Sequence, residues 1–268
     1  MTASSESAET DIARAIDRQI QTWLKAAPAQ LVTDATRPIE EAADQFSGRY
    51  LVLAGQALPG TADREQLLSA AASVACLSAQ MRLKANEAIE ADSDDTTRAV
   101  LASDFLHSLA YAGVPTDDSP AQTRHATESI GQACYRSLTT ASQRFTRCWF
   151  RSGANDSAQT APIEPIVTAA AGELAGLLEE ANDKRLDALR SLGLTLGLQR
   201  WRQRTSRTQS RHRAAESDPE LPQGLPEALT QTEVQEALSM LPESSDRSVL
   251  ERFVDSVLTI GHSNPSET

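Results

Sequence analysis

Lysine is nearly missing from this chain. Lys25, Lys84 and Lys184 are its only three, and every other basic residue is arginine. Aromatic residues make up 4% of the 268 positions, and alternating runs of Val, Ile, Thr and Tyr hardly occur, which excludes a major sheet. Cysteine is equally sparse: Cys76, Cys134 and Cys148 are far apart, with no Cys-x-x-Cys or His-x-x-x-His spacing beside them. A zinc site and a disulfide framework are therefore not expected, and reduced, buried thiols in a cytoplasmic protein are. No apolar run approaches the ~20 residues that span a bilayer, and no basic region with an apolar core marks a signal peptide. A Gly-rich phosphate loop and a Gly-x-Ser-x-Gly elbow are also lacking.

What is present favours helices. Hydrophobic residues are 40% of the chain, with Ala and Leu dominant. Stripes at helical spacing include Ile12, Ile16, Ile20 and Leu24, then Leu67, Ala71, Val74 and Ala75, and, further on, Val100, Leu101, Phe105 and Leu109. The predicted helices run from Asp11 to Pro28, Pro38 to Leu58, Ala62 to Ala91, Thr97 to Ala112 and Ala121 to Arg151. Four more cover Ile163 to Ala181, Lys184 to Arg204, Glu227 to Leu241 and Ser244 to Ile260. The expectation is one all-α bundle over residues 10–262, with polar tails at 1–9 and 263–268 and an exposed connector at 205–226. The net charge of −12 makes general nucleic-acid binding an unsuitable role. Low lysine with abundant Asp, Glu, Ala and Thr also matches the composition of proteins from salt-loving organisms.

The most informative stretch runs from Asp187 to Thr208. Leu189, Leu192 and Leu196 recur at helical spacing, with Gly193 and Gly197 one turn apart. Interior helix glycines cost roughly 1 kcal/mol each, so a second backbone should lie close against them. The register resembles the "Leu-Arg-x-x-Gly-x-x-Leu-Gly-x-x-x-Gln-x-x-Asp-Asp-x-x-Asp" segment of the trans-prenyl diphosphate synthases. Three further segments follow that family's order. Ser47 to Gly60 is similar to a shortened "Gly-Gly-Lys-Arg…Leu-Ala-x-Glu-Ala-Leu-Gly-Gly", keeping Gly48 and Arg49. Ala71 to Leu77 resembles the helix that leads to the family's first aspartate motif, and Ala99 to Leu106 resembles "Ala-Val-Leu-Ala-Gly-Asp-x-Leu".

The resemblance implies the isoprenoid synthase fold, a dimeric habit, and magnesium held by two Asp-rich motifs. In its register the first motif falls on Ala85-Asn86-Glu87-Ala88-Ile89 and the second on Arg204-Thr205-Ser206-Arg207-Thr208. Asn86 and Glu87 are thus a degenerate remnant, and Val167-Thr168 stands where the family has Lys-Thr. Prenyl transfer neutralises a departing diphosphate with magnesium, which needs hard oxygen ligands that Ala, Ile and Arg do not supply. The expected function is a catalytically degenerate homologue, a homodimer or a heterodimeric partner of an active synthase, with no cofactor. Two rivals remain: an active enzyme using Glu87, Glu90, Asp92 and Asp104 with magnesium, or a helical protein that binds a prenyl or lipid chain.

Arg200, Arg202, Arg204 and Arg207, together with Arg49, are the candidate anion-binding residues, because no acidic residue occurs from Ala188 to Ala215. Guanidinium forks suit diphosphates or acidic partners. The plainer reading is favourable helix-dipole placement running into a basic loop. Asp92-Ser93-Asp94-Asp95 reads as a helix cap. His107, His125, His212 and His262 have no acid or nucleophile at a recognisable spacing and read as surface or satisfied core residues.

Overall fold

The computed structural model describes residues 3–25, 27–41, 45–87, 93–114, 121–151, 161–212, 225 and 227–260, and every regular element among them is an α-helix. In order these are α1 (Ala3–Leu24), α2 (Ala29–Glu41), α3 (Phe46–Gln56), α4 (Arg64–Glu87) and α5 (Ser93–Ala112). Then come α6 (Ala121–Arg151), α7 (Ile163–Leu178), α8 (Asp183–His212), α9 (Gln231–Ser239) and α10 (Ser245–Ile260).

At the centre lies α7, built from Ala, Gly, Leu and Val and buried over almost its whole length. It packs most extensively on α8 and also meets α3, α4 and α6. The α7–α8 contact explains the glycines. A Cβ on Gly193 would collide with the Thr168 carbonyl, one on Gly172 with the Leu189 carbonyl, and one on Gly197 would lie 2.5 Å from the Glu164 oxygen. The second backbone that the sequence called for is that of α7. Tyr50 from α3 fills the notch, its ring against Gly172 and Gly193 and its hydroxyl donating to the Leu189 carbonyl at 2.6 Å.

Several boundaries differ from expectation. Residues 3–9 of the expected polar tail are already part of α1, where Ala and Glu favour the helix and Glu9 is held by Arg49 at 2.9 Å. The single helix predicted over Pro38 to Leu58 is interrupted: Gln45 adopts a left-handed conformation at φ 48°, which a right-handed helix cannot contain. Residues 205–212 of the connector predicted from residue 205 are helical. α8 continues to His212 through Arg, Gln and Thr, and Thr205 is buried, its hydroxyl donating to the Trp201 carbonyl at 2.6 Å. Residues 213–224 and 226, like the tail at 263–268, lie outside the described residues. α9 starts at Gln231 rather than Glu227, because Thr230 and Glu233 form a reciprocal capping box. On α5 the buried stripe is Ala102, Leu106, Leu109 and Ala110, while Val100 and Leu101 are 44% and 54% exposed. Small alanines let α5 approach α4 closely, which turns the two larger residues outward. The three cysteines are buried and form no disulfide.

Candidate functional site

Where α4, α7 and α8 meet, three charged side chains converge. Glu164 sits in the first turn of α7, where a carboxylate complements the helix dipole. Its Oε1 accepts a hydrogen bond from Arg82 Nη2 of α4 at 2.8 Å. Its Oε2 lies 2.9 Å from Arg204 Nη2 of α8 as an ion pair outside hydrogen-bond geometry, and that nitrogen donates to the Ala161 carbonyl at 3.1 Å. The Glu164 side chain is 9% exposed, against 17% for Arg82 and 25% for Arg204. One carboxylate therefore ties together two helices that touch α7 from different sides.

One turn further along α7, Thr168 is fully buried and its hydroxyl pairs with that of Ser47 at 2.8 Å. Below it lies Tyr50, whose phenol burial pushes well above its usual titration range, with the nearby Gly193 amide pulling weakly the other way. These hydroxyls are already engaged in hydrogen bonds inside the bundle.

The candidate residues are not gathered at one place. Arg49 pairs with Glu9 and lies over the Phe253 ring at 5.7 Å; Arg200 lies over Phe46 at the same distance, and the two rings stack at 5.4 Å. Both arginines thus flank one aromatic pair between α3 and α10. Arg204 points to the other contact, with Glu164, Arg202 is half-buried, and the side chain of Arg207 lies outside the described ones. Asn86 is exposed at the end of α4, and the Glu87 side chain lies outside the described ones too. Asp104 is exposed on α5, while Glu90 and Asp92 fall outside the described residues. His107 meets Gln80 at 3.0 Å and stacks edge-on with Tyr111. Burial and the charge of Lys84 push its imidazole below the usual value.

Sequence reasoning missed Glu164 and Arg82. The one available signal was an acid near the start of an otherwise apolar helix, which reads equally well as a dipole complement.

The fold and the resemblance raise the question of magnesium. In the register that the resemblance implies, the first motif would fall on Ala85, Asn86 and Glu87 of α4 and the second on Arg204, Thr205 and Ser206 of α8; of these only Glu87 is a carboxylate, and its side chain lies outside the described ones. Among the described residues no group of three or more His, Cys, Asp or Glu side chains could hold a metal ion. Two guanidinium groups at this junction repel a divalent cation. The residues described do not fit magnesium.

No family model and no curated protein matches the chain. Solved structures do. A geranylgeranyl pyrophosphate synthetase from the archaeon Geoglobus acetivorans superposes with a TM-score of 0.69 at 14% identity, covering 96% of this chain and 99% of that one. A decaprenyl diphosphate synthase from Rhodobacter capsulatus gives 0.63 at 12% identity, covering 96% and 98%. The geranyl diphosphate synthase small subunit from Antirrhinum majus gives 0.62 at 14% identity, covering 94% and 98%. The chain has the all-α fold of the trans-prenyl diphosphate synthases.

Proposed function

We propose that this chain is a non-catalytic relative of the trans-prenyl diphosphate synthases that acts as a partner of an active one. The observation that carries the reading is the ion-paired triad of Arg82, Glu164 and Arg204. In the family register Arg82 lies one turn before the first motif, on its face, and Arg204 occupies the first position of the second motif. Arg204 thus stands at a position where the chemistry requires a magnesium ligand, and Arg82 one turn from another. A catalyst without either metal cluster would have to recover many kcal/mol of transition-state stabilisation from other groups.

Pairing has a physical basis in the exposed apolar residues Val100 and Leu101 of α5 and Tyr135 of α6, which packs on Tyr111 at 4.7 Å. Tyrosines such as Tyr135 are enriched among interface anchors, and apolar residues fill an interface core. A subunit described as the small one of a geranyl diphosphate synthase is among the proteins sharing the fold.

The test has two arms. Incubation of the purified chain with magnesium, isopentenyl diphosphate and an allylic diphosphate should give no turnover, and clear product would overturn the non-catalytic reading. Mixing with an active synthase from the same source should give a stable complex on gel filtration. A strict monomer that ignores the synthase removes the partner role.

A further inference from the structure

Between α4, α5 and α6 lies a second polar cluster, away from the charged triad. Gln80 of α4 is 1% exposed, and its amide Nε2 lies 3.0 Å from Nδ1 of His107 on α5. The amide oxygen of Gln80 is buried and has no hydrogen-bond partner. An amide NH2 that donates to a ring nitrogen leaves that nitrogen as an acceptor and the imidazole neutral. A half-turn of the same amide brings the idle oxygen to the ring nitrogen, where it accepts an Nδ1–H. Gln80 therefore carries a partner for each charge state of His107, one in use and one in reserve. The imidazole meets the Tyr111 ring edge-on at 4.7 Å. Tyr111 in turn packs on Tyr135 of α6 at 4.7 Å, and its hydroxyl lies 3.2 Å from that of Thr139. Tyr111 thus connects a histidine between two helices to a tyrosine that is 54% exposed.

We propose that His107 and Gln80 form a proton-operated switch that sets the position of the Tyr111–Tyr135 pair on the exposed α5–α6 face. Neutral His107 accepts from the Gln80 amide. Proton uptake at Nδ1 would set two donors face to face, so the amide turns and the imidazolium is drawn to the negative face of the Tyr111 ring. Two charges act on the imidazole with opposite sign, Lys84 of α4 and Asp104 of α5. On this side α6 presents the neutral Tyr135 and Thr139. α2, which also packs on α5, brings Asp34 to Arg98, about 13 Å along the helix from His107. Burial first, and then Lys84, lowers the pKa of His107, while burial raises that of the Tyr111 phenol. The imidazole is therefore the group here that changes charge in mildly acidic solution. The switch is a property of the chain alone; control of association by it rests on the partner reading.

The full chain, isotopically labelled in its histidine and tyrosine rings, is titrated by NMR from neutral to mildly acidic pH. The His107 signal should titrate below the ordinary value of about 6.5, and the Tyr111 and Tyr135 ring signals should shift with the same midpoint. Gln80→Glu puts a fixed acceptor in place of the turning amide, so the histidine and tyrosine midpoints should rise together by about one pH unit or more. His107→Gln cannot take up the proton and should leave both tyrosine signals flat across the same range. Tyrosine signals that stay still while His107 titrates overturn the proposal. So does a tyrosine shift that persists in His107→Gln, a comparison that survives if Gln80→Glu fails to fold. No second protein enters the titration, so this result and the partner reading stand or fall separately.

Discussion

Glu164 is where single residues matter most, because both Arg82 and Arg204 face its carboxylate. Breaking a mostly buried pair by removing one partner leaves uncompensated charge and costs about 3 kcal/mol. The partial exposure of Arg204 keeps the loss at the lower end of the usual range. Urea denaturation of Glu164→Gln should therefore show a clear fall in stability. A second residue sets a pH dependence. Glu179, just after α7, is buried against Gly60 and Ala62. Burial raises its pKa, and the bond from the Ala62 amide only partly opposes that. A carboxyl with a raised folded-state value binds its proton more tightly in the native chain than in the unfolded one. Its contribution to stability is thus complete below the ordinary carboxylate range and is lost as pH rises through the raised value. Glu179→Gln should flatten the pH dependence of the denaturation midpoint above the ordinary carboxylate range, and an unchanged slope would remove Glu179 as the cause.

Between elements, the α7–α8 contact makes a differential prediction. Gly193→Ala forces a methyl into the Thr168 carbonyl, an overpacking that costs about 3 kcal/mol. Gly176→Ala faces Leu186 atoms at 3.5 and 3.6 Å, ordinary contact distances, so better helix propensity should dominate and stabilise by up to about 1 kcal/mol. Thermal unfolding of the pair separates the two cases. This contact was legible in the sequence, because the spacing of Gly193 and Gly197 admits few explanations other than a neighbouring backbone. The register of α5 was not. Val100, Leu101, Phe105 and Leu109 look as apolar as Ala102, Leu106, Leu109 and Ala110, and only the closeness of α4 selects the set with alanines. The Arg82–Glu164 pair joins residues 82 positions apart, a pairing that no local pattern encodes. The arginines of α8 were visible as a run, but their division between Phe46 and Glu164 depends on which helices pack on either side.

For the molecule as a whole, the expected behaviour is association through α5 and α6. Replacing Leu101 with Asp and Tyr135 with Ser alters side chains that are each 54% exposed and should leave folding intact. Sedimentation velocity should show the complex with an active synthase dissociating in this variant while circular dichroism is unchanged. Retained association would locate the pairing surface elsewhere. No helix among the described residues is long and apolar enough to cross a membrane.

The buried sulfurs offer a built-in gauge of breathing motions. Cys76 of α4 is wholly enclosed and Cys134 of α6 nearly so, and burial pushes both thiols up to about 12. A sulfhydryl that is neither ionised nor accessible cannot attack an alkylating reagent. Modification by iodoacetamide should therefore run at the pace of transient opening, and each helix carries its own clock. If the staple across the three helices sets that pace, α4 should be labelled sooner in Glu164→Gln than in the unaltered chain.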